Sequence, residues 1–190
     1  MDESIVLLLN GWAGRFGLFD GLMQALVSDY LVPVWASVVL MGLWFHGATA
    51  MERFSNQLVT ITGALAVGLA NAQVIILNQL VFRARPFVNL DLNVQFYLPT
   101  DSSFPANTAG VGFAIATAVF LRHRKLGSAL YALAVLWGIA RVYAGVHYPT
   151  DVLAGAVIGA IAAVVATMIV RRGAFMLRPV LRTFRFFYAA

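Results

Sequence analysis

The 190 residues include no cysteine, which excludes disulfides, thiolate nucleophiles and cysteine-ligated metal sites. Charge is scarce too. Only 11% of the chain is Asp, Glu, Lys or Arg, where a soluble domain carries about 25%. There are 6 prolines and 3 histidines, so a histidine beside a proline in a polar stretch stands out. No internal repeat or low-complexity linker divides the chain, and its length fits one domain, 1–190. The opening MDESIVLLLNGWAG has no basic n-region, and the run Ile5–Leu9 is too short for a signal core or a span. Ile5, Leu8, Leu9 and Trp12 fall at helical spacing, which predicts a short helix lying in the membrane interface, with a frayed surface helix as the alternative.

What is present is apolar: 61% of the residues are hydrophobic. Crossing the hydrocarbon core takes roughly 20 predominantly apolar residues, and five stretches are read as spans. They are Tyr30–His46, Gln57–Leu80, Phe104–Leu121, Gly127–Arg141 extended toward Ala144, and Val152–Val170. The fold class is therefore all-α: a polytopic membrane helix bundle of about five spans with an N-terminal interfacial helix. Gly155 and Gly159 form a GxxxG in the last span, a sign of close helix packing.

The net charge of +5 does not point to nucleic acid, because the basic residues lie at the ends of apolar runs. They point to anionic lipid headgroups. Arg53, Arg122, Arg124, Lys125, Arg171, Arg172, Arg178, Arg182 and Arg185 fall on one side, and Arg15, Arg83, Arg85 and Arg141 on the other. Seven of the eight acids lie on the side with fewer basic residues. The positive-inside rule makes the richer side cytoplasmic. The expected location is a multi-pass plasma-membrane protein with a cytoplasmic C-terminus and anionic headgroups as partners on that side. The tail Ala174–Tyr188 reads as a basic amphipathic anchor, bent or started by Pro179.

Three polar stretches converge on the outer side. RARPF closes the second span. There Arg83 reads as a snorkelling anchor, while Arg85, before a helix-ending proline, is aimed at the loop. SSFPANTAG runs into the third span and offers the N–H groups around Asn107–Ala109 to an anion. RVYAGVHYPTD joins the fourth span to the fifth. His147 and Asp151 are four residues apart across a proline turn, so the carboxylate can reach the imidazole, fix its tautomer and leave the other nitrogen basic. Two arginines able to grip phosphate oxygens complete a set suited to phosphoryl transfer through a phosphohistidine. Alternatively, Asp151 caps the fifth span. It can do both.

The pattern resembles the type 2 phosphatidic acid phosphatases, integral-membrane lipid phosphatases whose motifs are Lys-x6-Arg-Pro, Pro-Ser-Gly-His and Ser-Arg-x5-His-x3-Asp. Ala140-Arg141, His147 and Asp151 match the third motif except for its leading serine, and Arg85-Pro86 match half of the first. The likeness covers about 57–170, leaving 171–190 as the tail. The phrase GVHYPTDVLAG is most like the bacterial undecaprenyl-diphosphate phosphatase branch. The resemblance implies His147 as nucleophile, Asp151 as its orienting partner, Arg85 and Arg141 as phosphate ligands, and neither a metal nor any other cofactor.

The chain departs from that pattern at three positions. The first-motif lysine is Asn78, the second-motif serine is Ala106, and the histidine that would protonate the leaving group is Thr108. Asn107 and the Thr108 hydroxyl remain as candidate phosphate-binding groups, and Asp101 is a candidate acid. A general acid contributes typically 10²–10⁴-fold. Its loss harms a monoester, which expels an alkoxide, far more than a diphosphate, which expels a phosphate monoester. Two functions follow: hydrolysis of an isoprenoid (undecaprenyl-type) diphosphate at the outer leaflet, or, in a catalytically impaired relative, binding or transport of a phosphorylated membrane lipid.

Overall fold

The computed structural model describes residues 1–188, without the side chains of Val180, Arg182 and 184–188. Eight helices follow one another: α1 (Asp2–Asn10), α2 (Gly17–Val27), α3 (Leu31–Phe45), α4 (Ala50–Leu80), α5 (Pro86–Asn89), α6 (Asn107–Phe120), α7 (Arg124–Tyr143) and α8 (Pro149–Tyr188). α4 starts on a complete capping box, in which Thr49 accepts from the Glu52 N–H and Glu52 reaches back to the Thr49 N–H. α7 ends at Gly145, whose φ of +78° places it in the left-handed region that glycine enters without strain.

The middle of the bundle is α6, which packs against α4, α7 and α8. Small residues let it do so: Ala66 and Ala70 of α4, Ala114 and Ala118 of α6, and Ala162, Ala163 and Ala166 of α8 form one buried cluster. The approach of α8 is closest at the GxxxG. A Cβ on Gly155 would lie 2.2 Å from the Ala106 carbonyl oxygen, and one on Gly159 2.2 Å from that of Gly110. The two glycines thus serve packing within the chain. Outward, Ile75, Ile76, Leu136, Leu153, Val157, Ile161 and Met168 are all exposed, as suits a surface solvated by lipid.

Among the described residues, three helices are long and apolar enough to cross a membrane, α4, α7 and α8 over Pro149–Pro179, or four if α2 and α3, bent by 59°, count as one span. The five expected spans are therefore not all matched by helices of membrane length. Tyr30–His46 becomes a 15-residue helix and Phe104–Leu121 a 14-residue one. At ~1.5 Å per residue, α6 covers about 21 Å of a core about 30 Å thick. It starts only after Pro105, and nine of its residues are buried among other helices, so it faces little lipid.

The N-terminal helix does form and it is not frayed. Val6 is fully buried, and Asn10 donates to the carbonyls of Asn93 (2.9 Å) and Tyr143 (2.8 Å). α8 continues as one helical element through Pro179. The expectation for Arg182 and Arg185 falls on side chains outside the described residues; Arg178 is exposed.

An alanine at Gly155 would force α6 and α8 apart. Gly155→Ala should destabilise by about 1–3 kcal/mol, read as a lower unfolding temperature in detergent. Gly173→Ala, where a Cβ meets nothing within 4 Å, should leave that temperature the same or raise it.

Candidate active site

The ends of α4, α6 and α7, with the α2–α3 break and the loops before α5, α6 and α8, enclose a cavity of about 180 Å³, lined by Asp29, Asn78, Arg85, Tyr97, Asp101, Asn107, Thr108, Arg141 and His147 among others. One water occupies ~30 Å³ of liquid, so there is room for a phosphoryl group. His46 and His123 lie at the opposite end, where His123 Nε2 meets Asn56 Oδ1 at 2.8 Å and Asn56 bonds the His46 carbonyl. Neither can stand in for the second-motif histidine.

His147 follows the Gly145 turn and is 4% exposed. Its Nδ1 lies 2.9 Å from the Ser103 carbonyl oxygen, and its Nε2 lies 3.2 Å from Arg85 Nη1. A carbonyl only accepts and a guanidinium only donates. The proton is therefore on Nδ1, and the lone pair of Nε2 accepts from Arg85 at the cavity wall. Burial, then Arg85 and Arg141, push the ring well below its ordinary pKa of 6.5, with the Ser103 carbonyl opposing. A neutral ring with a bare Nε2 is the form a nucleophile needs.

Asp151 does not bond this imidazole, contrary to expectation. Its Oδ2 accepts from Ser103 Oγ at 2.5 Å and from the Tyr148 N–H at 2.9 Å, and its Oδ1 accepts from Arg83 Nη1 at 2.5 Å. The reason is local. Pro149 opens α8, which places Asp151 at its third residue, from which a carboxylate turns back to cap the N–H before the helix. Ser103 carries the link instead, holding Asp151 through its hydroxyl and His147 through its carbonyl. Arg83 is not a snorkelling anchor either. It bonds Asp2, Thr150 and Asp151 and lies 4.0 Å over the Tyr148 ring.

Arg85 and Arg141 both reach the cavity. Arg85 Nη1 donates to the Val146 carbonyl (2.8 Å), while its Nε and Nη2 donate to the carbonyl (3.1 Å) and carboxylate (2.8 Å) of Asp101. Arg141, 2% exposed and beneath the Phe96 ring, donates through Nη2 to Asp29, whose other oxygen accepts from Tyr97 at 3.0 Å. The three altered positions lie at the same cavity or beside it. Asn78 Oδ1 and Thr108 Oγ1 are buried without a partner among the described residues, as is Arg141 Nε. Ala106 is fully buried beneath Gly155 and its N–H donates to the Asp151 carbonyl at 3.0 Å. Asn107 is exposed at the start of α6, which no side chain caps. Among the described residues, no group of three or more His, Asp or Glu is placed to hold a metal ion.

The sequence reading missed Ser103, Arg83, Asp29, Tyr97 and Asp2. One signal was available: an ionisable residue in an apolar chain is functional by default, which applies to Arg83 and Asp29.

Residues 60–174 match the model of the family described as the PAP2 superfamily. The chain belongs to that superfamily. This PAP2 protein is 26% identical over 183 residues to the undecaprenyl-diphosphatase BcrC of Bacillus subtilis (strain 168), covering 94% of this chain and 87% of that one. It is 37% identical over 173 residues to the putative undecaprenyl-diphosphatase YbjG of Escherichia coli (strain K12), covering 89% and 82%. Among solved structures it is similar to Aquifex aeolicus LpxE, with a TM-score of 0.66 and 30% identity over 86% of this chain and 92% of that one. As a PAP2 protein it is a membrane hydrolase of the phosphatase type.

A depressed pKa leaves His147 unprotonated, and so nucleophilic, at pH 6.5. The kcat/KM for phosphate release reports the free enzyme. Corrected for the substrate's own ionisation, it should stay level as pH falls through 6.5. A decline centred there would show a ring of ordinary basicity.

Proposed function

We propose that this PAP2 protein hydrolyses an isoprenoid diphosphate of the undecaprenyl type through a phosphohistidine at His147. The observation that carries the proposal is a buried, neutral imidazole whose unprotonated Nε2 faces Arg85, in a cavity that both Arg85 and Arg141 line. In the first step Nε2 attacks the terminal phosphorus, and the bond to the bridging oxygen breaks with its electron pair leaving on the lipid monophosphate. Arg85 and Arg141 offset the charge that gathers on the phosphoryl oxygens. In the second step water attacks the phosphohistidine, and orthophosphate leaves as Nε2 regains its lone pair. Nδ1–H stays on the Ser103 carbonyl throughout and stabilises the positive ring of the intermediate.

The altered second motif favours a diphosphate. Thr108 is no general acid at neutral pH, and its unpartnered Oγ1 is available to a leaving oxygen only as a hydrogen-bond donor. A lipid monophosphate departs without a proton; an alkoxide does not. The names of BcrC and YbjG agree with this substrate class.

A second reading, that the chain binds or moves a phosphorylated lipid without cleaving it, is favoured by the ion pairs Arg85–Asp101 and Arg141–Asp29 together with the lost Lys, Ser and His. Phosphate release from purified protein, with undecaprenyl diphosphate and phosphatidic acid compared, separates the two. Release from the diphosphate alone, abolished in His147→Ala, is the expected result. Thr108→His should then raise turnover of the monoester by roughly 10²–10⁴-fold. Absence of His147-dependent release from either lipid would leave the binding function.

The same reading places the site at the outer leaflet, with α3 and α6 as short additional spans, α1 in the interface and the C-terminus cytoplasmic. The basic residues support it. Arg122 bonds Ser55 and lines a small cleft with Arg171 at the end away from the site, where anionic headgroups of the inner leaflet would meet them. Because the chain has no cysteine, single introduced thiols report on topology cleanly. Thr100→Cys in intact cells should react with an impermeant maleimide, and Lys125→Cys should react only after lysis.

A further inference from the structure

We infer that Asp29 and Asp101 are specificity-determining residues, resident counter-anions that a phosphate must displace from Arg141 and Arg85 and that disfavour headgroups with a single phosphate. The inference rests on the phosphatase reading above. Arg85 meets Asp101 at 2.8 Å and Arg141 is paired with Asp29, and all four side chains line the cavity of His147. Formally, two arginines and two aspartates cancel, and His147 is neutral, so the titratable groups facing the cavity sum to zero. A site that grips phosphate with arginines alone would be cationic.

All three nitrogens of Arg85 are also engaged. Nε and Nη2 of Arg85 go to Asp101, and Nη1 goes to Val146 and the ring of His147. On Arg141, Nη2 goes to Asp29, and Nε is buried without a partner among the described residues. A phosphate gripped by the full forks of both arginines must therefore take Nη2 of Arg85 from Asp101 and Nη2 of Arg141 from Asp29. Both carboxylates can yield: the Asp101 side chain is 65% exposed and that of Asp29 36%, so each can turn to water with little desolvation. The cost of separating the two ion pairs is the same for every substrate, but the return is not. A diphosphate has oxygens enough for both forks, each a strong charge-assisted contact. A monoester has one phosphate with which to replace two carboxylates.

Asp29→Asn and Asp101→Asn test this, since each keeps an acceptor for its arginine and removes the charge. Inorganic phosphate binding is measured by titration calorimetry on the full chain in detergent, alongside kinetics on undecaprenyl diphosphate and undecaprenyl phosphate. Each substitution should tighten phosphate about tenfold, the scale of one charged hydrogen bond. Each should lower KM for the monophosphate more than for the diphosphate. Asp91→Asn, an exposed acid on the same loop with no contact to either arginine, should leave phosphate binding unchanged. Three results would overturn the inference: unchanged phosphate affinity in both variants, equal tightening in Asp91→Asn, or a fall in kcat at constant KM, which would make the carboxylates participants in the chemistry. Asp101, being largely exposed, decides the matter if Asp29→Asn does not fold. Binding is read without turnover, so an inactive parent would sink the phosphatase reading and leave this test intact.

Discussion

The contact on which the rest depends is the backbone-to-backbone approach of α8 to α6 at Gly155 and Gly159. Within a bilayer, apolar burial gives helices no reason to prefer each other over lipid, so close van der Waals contact must hold them. That contact also joins the two halves of the site. It brings the start of α6 against the start of α8 closely enough for the Ala106 N–H to reach the Asp151 carbonyl. The loop before α6 then lies alongside the turn before α8, and Ser103 meets both His147 and Asp151. A side chain at either glycine would separate motif from motif while leaving every polar residue in the chain.

Around that contact the buried charges are arranged in two chains. One runs from Asp2 through Arg83 to Asp151 and Ser103, ends at the imidazole, and fixes that ring. The other pairs Arg85 with Asp101 and Arg141 with Asp29 and faces the substrate. Leaving one partner of a buried pair alone is costly, which explains why the fully buried Asp151 is paired on both oxygens, with Arg83 on one and Ser103 on the other. The second is open at its acidic ends, where a ligand must enter. α1 and the α2–α3 break matter to function for this reason: they supply Asp2 and Asp29, far from the motifs in sequence.

The chain is thus a PAP2 protein that keeps Arg141, His147 and Asp151 together at one cavity and carries Asn78, Ala106 and Thr108 at the altered positions, the arrangement on which the proposed hydrolysis of a diphosphate rests. Such a site suits chemistry in which the bond to the leaving group breaks easily. The resident acids and the missing lysine act in the same direction, since both lower the positive charge that meets the phosphate.

Much of this was legible in the sequence. Composition alone gives an all-α membrane bundle, because a run of apolar residues must satisfy its own backbone in lipid. The spacing Arg141, His147, Asp151 and the pair Arg85-Pro86 mark one end of the site, because their roles are set by residue type and short-range geometry. Helix lengths were less legible: hydropathy does not distinguish a 14-residue helix buried among its neighbours, as α6 is, from a full span. The partner of His147 was not legible at all. The spacing permits a carboxylate–imidazole bond, but helix capping turns Asp151 away and a carbonyl from a loop 44 residues earlier takes its place. Asp29 and Asp2 likewise reach their arginines across more than 80 residues of sequence. Local patterns determine which residues can do the chemistry. Which groups hold them is decided by helix packing, because those contacts exist only once distant segments are brought together.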